Sequence, residues 1–71
     1  MDLRTIEIDL LAQRIKTRTE HGTEHEFIVD KVFPHHVVAY AECENGYKLW
    51  EAFSEGDLIT KGVLKSRRHT N

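Results

Sequence analysis

The chain has 71 residues and a formal charge of −2, with ten Lys and Arg against twelve Asp and Glu. That length gives a single domain over 1–71 with no room for a deep internal cleft, so a stand-alone enzyme is not expected. Such a core supplies on the order of 3 to 5 kcal/mol of net stability, and the lone Cys43 excludes an internal disulfide as a supplement.

With one cysteine, no apolar leader after Met1 and no apolar run of membrane length, the sequence predicts a cytoplasmic protein without membrane contact. Charge is unevenly placed. Arg4, Arg14, Lys16 and Arg18 face Asp2, Glu7 and Asp9 in the first segment, and nine carboxylates face only Lys31 and Lys48 over 20–60. Lys61, Lys65, Arg67 and Arg68 then stand without an acid, which predicts a flexible basic tail at 65–71 on an acidic body.

Ile8, Leu11, Ala12 and Ile15 recur at helical spacing and predict a helix over 5–17, with Asp2 or Thr5 as N-cap. Ile6, Ile8 and Leu10 also alternate with Thr5, Glu7 and Asp9, and the threonines from Arg14 to Thr19 leave a strand open there. His21-Gly22 marks a stop, and the β-branched and aromatic run Glu26 to Phe33 predicts a strand ended by Pro34.

Val37 to Glu44 and Tyr47 to Phe53 flank Asn45-Gly46, which predicts a hairpin with a two-residue type I′ turn. That register sets Ala41 opposite Trp50 and Ala39 opposite Ala52. It gives a core face of Val37, Ala39, Ala41, Cys43, Trp50 and Ala52. The opposite face gathers Val38, Tyr40, Tyr47, Leu49 and Phe53 among Glu42, Glu44 and Glu51. Ser54 followed by Asp57 forms a capping box opening a short helix that Gly62 closes, after which Val63-Leu64 returns to the sheet.

The resulting fold is α+β: an N-terminal helix on a three-stranded antiparallel β-meander with a short C-terminal helix. A small SH3-like β-barrel is the alternative if Arg14 to Thr19 is a strand.

Few residues point to chemistry. His21-Gly22-Thr23-Glu24-His25 matches the H-x-x-E-H pattern of inverted zinc peptidases, but Gly22 and Thr23 disfavour the helix that chemistry needs. His21, His25, His35, His36 and Cys43 lack paired ligand spacing, so neither metal nor cofactor is expected. His35-His36 reads as part of a turn, and Cys43 has only Lys48 predicted across from it. Lys61, Lys65, Arg67 and Arg68 are candidates for nucleic-acid phosphates. Glu42, Glu44 and Glu51 are expected among the candidate base-stacking residues Tyr40, Tyr47, Trp50 and Phe53 and repel phosphate, which directs nucleic-acid contact to the tail and the Arg14 and Arg18 face.

The runs Glu20-His21-Gly22, Glu26 to Val29, Phe33-Pro34-His35-His36-Val37-Val38 and Phe53 to Ile59 with Gly62 resemble small uncharacterised proteins encoded by phages and integrative mobile elements of Gram-positive bacteria. The resemblance spans about residues 10–64 and implies a strand opened by P-H-H and a sheet closed by F-S-x-x-D-L. It implies no activity or site, and the acidic Glu51-Ala52 departs from the more reactive or cationic pair expected at that place.

The function expected is that of a non-catalytic accessory protein, a protein-interaction module of a mobile element. Its candidate contacts are Tyr40, Glu42, Tyr47, Leu49, Glu51 and Phe53, and the same face offers a weak homodimer. The alternatives are a nucleic-acid-associated protein using its tail, and an acidic decoy that inhibits a nucleic-acid-binding enzyme.

Overall fold

The computed structural model describes residues 2–18 and 22–64. A 3₁₀ turn, Leu3–Ile6, runs into α1 (Glu7–Leu11), followed by β1 (Arg14–Arg18), β2 (Glu24–Val32), β3 (His36–Glu42), β4 (Lys48–Ser54) and α2 (Glu55–Thr60). The strands form one antiparallel sheet in the order β1-β2-β3-β4. The domain is therefore α+β, with four strands where the sequence suggested three.

The first difference lies at the N-terminus. The helix predicted over 5–17 ends at Leu11, and Ile15 belongs to β1, fully buried opposite Phe27. The helical stripe read from Ile8, Leu11 and Ile15 is not the packing face, since Ile8 is 85% exposed. Leu3 and Leu10 are buried instead, with Ile6 packed beside them. Both periods are present in this segment, and the burial that Ile15 gains against Phe27 outweighs continuation of the helix.

Asp2 caps the first turn. Its carboxylate accepts from the Arg4 backbone N–H at 2.9 Å and from the Arg4 guanidinium at 2.7 Å. Those bonds lower its pKa from 3.8 to about 2. The neighbouring Leu3 N–H donates to the Pro34 carbonyl at 2.8 Å, tying the N-terminus to the β2–β3 connection.

One irregularity shapes β2. Val29 lies opposite Ala39 and Lys31 opposite Val38, so Asp30 is an extra residue in the ladder. The shift turns both Val29 and Val32 toward the core although they are three positions apart. Without it, Val32 would share the other face of the sheet.

The β3–β4 turn overturns the expected hairpin register. Cys43 and Tyr47 pair across the loop, with Cys43 N–H to Tyr47 O at 2.8 Å and Gly46 N–H to Cys43 O at 3.0 Å. The loop therefore holds Glu44, Asn45 and Gly46. Gly46 has φ 86°, while no non-glycine residue described has positive φ. Asn45 thus cannot be in a type I′ turn, and the pattern is a tight turn followed by a left-handed glycine bulge. Every β4 residue then faces the side opposite to the one expected: Tyr40 pairs with Trp50, Ala39 with Glu51, and Val37 with Phe53.

The core forms on one face of the sheet, where Leu3, Leu10 and Leu58 pack on Ile15, Phe27, Val29, Val37, Ala39, Ala41 and Phe53. The Phe27 and Phe53 rings meet edge to face at 5.4 Å across the intervening strand, whose covered face carries the small Ala39 and Ala41. At α2 the expected capping box is present, with Ser54 and Asp57 exchanging bonds of 3.1 Å. Gly62 (φ 80°) ends the helix, Val63 N–H returning to Leu58 O at 2.9 Å and Gly62 N–H to Ile59 O at 3.0 Å, a Schellman motif. Val63 and Leu64 pack against the core. The predicted basic tail lies outside the described residues.

Two predictions follow from this local chemistry. Gly46→Ala is expected to destabilise the domain by about 1 kcal/mol in chemical denaturation, because a Cβ there meets no atom within 4 Å and only the left-handed backbone resists it. Asn45→Ala should cost less than half as much, whereas a type I′ turn would make both positions sensitive. In an NMR titration the Asp2 carboxyl should titrate near pH 2. Because its pKa is lowered by folding, its contribution is complete above about 3.8 and is lost as pH falls toward 2.

Candidate binding face

The pleat sorts the sheet into a covered face and an open one. On the covered side Ile15, Phe27, Val29, Ala39 and Phe53 meet the helices. On the open side Arg14, Ile28, Tyr40 and Trp50 stand directly opposite one another, forming one row across all four strands. Tyr40 and Trp50 touch, with centroids 5.3 Å apart at a tilt of 48°, and the indole is 51% exposed. Val38 and Ala52 pair beside them, next to Lys31.

Charges border this row in opposed pairs. Lys16 lies across from Glu26, which also reaches Arg14 at 3.6 Å, and Lys48 lies across from Glu42. The Lys48 ammonium sits 4.8 Å from the centre of the Tyr40 ring. Arg14, Lys16, Lys31 and Lys48 thus outnumber Glu26 and Glu42, although the whole chain is acidic.

The six residues expected to form one contact surface are divided by the corrected register. Tyr40 and Glu42 are on the open face. Phe53 is only 3% exposed and belongs to the core, while Leu49 and Glu51 project on the covered side near the β4 edge. Tyr47 ends the turn and is 70% exposed. Trp50, assigned to the core from sequence, is the main residue that reading missed on this face. The signal for it was the number of residues in the loop, which Asn45-Gly46 leaves open between two and three.

Elsewhere, Glu24 and His25 are strand residues, so this half of the H-x-x-E-H match is not helical. His25 lies edge-on to Phe27 at 6.2 Å, and His36 stacks on Phe33 at 4.7 Å. Cys43 is half-buried opposite Tyr47 rather than Lys48. Among the described residues no group of three or more His, Cys, Asp or Glu could hold a metal ion. A hollow of about 310 Å³ lies between β1, β4 and α2, lined by Thr17, Arg18, Glu51, Phe53, Asp57 and Lys61. Lys61 is the C-cap of α2, whereas Lys65, Arg67 and Arg68 lie outside the described residues. No described helix is long and apolar enough to cross a membrane.

No family model, curated protein or solved structure matches the chain.

The position of Trp50 is open to direct measurement. Its fluorescence should be red-shifted and quenched by iodide in the folded protein, with NMR contacts to Tyr40. A blue-shifted, shielded indole in contact with Ala41 is the result demanded by the two-residue turn.

Proposed function

We propose that this domain is a non-catalytic binding module that holds a partner protein on the open face of its sheet. The observation that carries the reading is the Tyr40–Trp50 pair, exposed because the described helices pack on the other side. Aromatic side chains lose little rotamer freedom on binding and offer large contact areas, which suits them to the centre of an interface. The surplus of Arg14, Lys16, Lys31 and Lys48 around them fits an apolar partner surface with acidic margins. The resemblance of the sequence to mobile-element proteins supports an accessory role in that setting.

A second reading is single-stranded nucleic acid stacked on the same pair. It is favoured by the ammonium of Lys48 beside Tyr40 and by Glu51 lying on the opposite face. The expected repulsion of phosphate by Glu51 among the aromatics therefore does not arise.

Tyr40→Glu and Trp50→Glu, introduced singly, should leave the melting temperature nearly unchanged and weaken partner binding at least tenfold. Photo-crosslinking from position 52 identifies the partner, and titration of the purified pair gives the affinity. A mixed-sequence single-stranded oligonucleotide that quenches Trp50, less so as salt rises, establishes the nucleic-acid reading instead. Partner binding unaffected by both substitutions overturns the assignment of this face.

A further inference from the structure

β4 is an edge strand whose exposed side chains include the large apolar Leu49 and Trp50, with Tyr47 immediately before it. The bonds at its two ends fix which backbone groups it leaves free. Cys43 N–H bonds Tyr47 O, and Glu55 N–H bonds His35 O, so the odd-numbered residues of β4 direct their N–H and C=O groups toward β3. Lys48, Trp50 and Ala52 direct theirs outward, while the Ser54 N–H is taken by the Asp57 carboxylate. No further strand pairs with this edge among the described residues. The strand contains neither proline nor a bulge, and the edge-protecting charges it does carry are Lys48 and Glu51.

We propose that β4 pairs with β4 of a second copy of this chain, antiparallel and centred on Leu49. Ladder geometry requires residues with outward groups to pair with one another, which leaves a short series of two-fold registers. Centring on Lys48 opposes two lysines, and centring on Glu51 opposes two glutamates, both unfavourable. Centring on Trp50 sets each Leu49 against a Glu51. Centring on Ala52 does the same to Phe53 and brings the pairing toward α2.

The Leu49-centred register is free of these conflicts. Leu49 meets Leu49 on the two-fold axis on the helix side, Tyr47 lies opposite Glu51, and each Trp50 lies opposite the other copy's Lys48. Indole and ammonium attract in that arrangement. Lys48 and Trp50 exchange both main-chain bonds in each of the two equivalent pairs, and the sheet continues through the dimer. The occupant is a second copy because the same short stretch supplies the apolar centre, Leu49 on Leu49, and both members of each flanking pair, Trp50 with Lys48 and Tyr47 with Glu51.

The test uses the full chain. Sedimentation across a concentration series should show a monomer–dimer equilibrium, and Leu49→Lys should weaken it on the order of tenfold or more while leaving the melting temperature nearly unchanged, since Leu49 is 40% exposed. In a Cys43→Ser background, Leu49→Cys should form a disulfide-linked dimer under copper–phenanthroline, and Glu51→Cys should not. A strictly monomeric protein at high micromolar concentration overturns the proposal. So does efficient cross-linking through Glu51→Cys, or a dimer abolished by Tyr40→Glu but not by Leu49→Lys. Partner binding measured with Leu49→Lys reports separately on the open face, so the two assignments fail independently.

Discussion

The contact between Phe27 and Phe53 organises the domain. These rings come from β2 and β4, which are not neighbours, and they meet at 5.4 Å diagonally across β3, whose covered face carries the small Ala39 and Ala41. A larger residue there would hold the rings apart. The contact draws three strands toward a common centre and marks which face must be covered. Leu3 and Leu10 from the N-terminal segment and Leu58 from α2 close over it, leaving Ile15, Val37 and Leu58 fully buried. Complete burial of an aliphatic side chain contributes roughly 1.5–3 kcal/mol, so this small cluster accounts for much of what so short a chain can bury.

A single residue in the hairpin loop decides what the opposite face offers. The glycine bulge at Gly46 puts Cys43 across from Tyr47, which sends Phe53 inward and Trp50 outward. One residue fewer would reverse both, burying the indole over Ala41 and exposing Phe53 with Glu51 beside Tyr40. The present loop keeps Glu51 away from the aromatic pair and places Lys48 over Tyr40. The chemistry of the open face is thus set by turn geometry as well as by residue content.

That dependence explains what could be read from the sequence. The strands around Asn45-Gly46, the break at Pro34, the Ser54–Asp57 capping box and the closing Gly62 each rest on a local rule that the fold obeys. The alanines at 39 and 41 also mark the core face of β3 correctly. Three features escaped for physical reasons. Asn-Gly serves both a two-residue turn and a three-residue loop with a bulge, so the β4 faces were undetermined. The N-terminal run carries helical and alternating periods together, and only the long-range pairing of Ile15 with Phe27 chooses between them. The extra Asp30 in β2 has no glycine or proline to announce it, and shows only when Val29 and Val32 are seen on one face. Because Leu49, Glu51, Trp50 and Phe53 all lie on β4, the contact surface inherited the error in that one turn.

The distribution of cover links the two surfaces of β4. Leu58 of α2 packs in the cluster with Phe53 toward one end of β4, while Leu49 and Tyr47 toward the other end stay 40% and 70% exposed. Burial by elements of the same domain therefore runs out along the strand whose backbone is also unpaired. An antiparallel partner strand addresses both deficits at once, removing Leu49 from water and satisfying the outward groups of Lys48 and Trp50. Rotation about an axis normal to the sheet keeps both open faces on the same side. In the Leu49-centred register each Tyr40–Trp50 pair would then be extended by the other copy's Lys48, and two aromatic rows would lie side by side with cations between them. A partner with two acidic, apolar-centred sites would gain from such an arrangement through effective concentration, without any new contact within either domain.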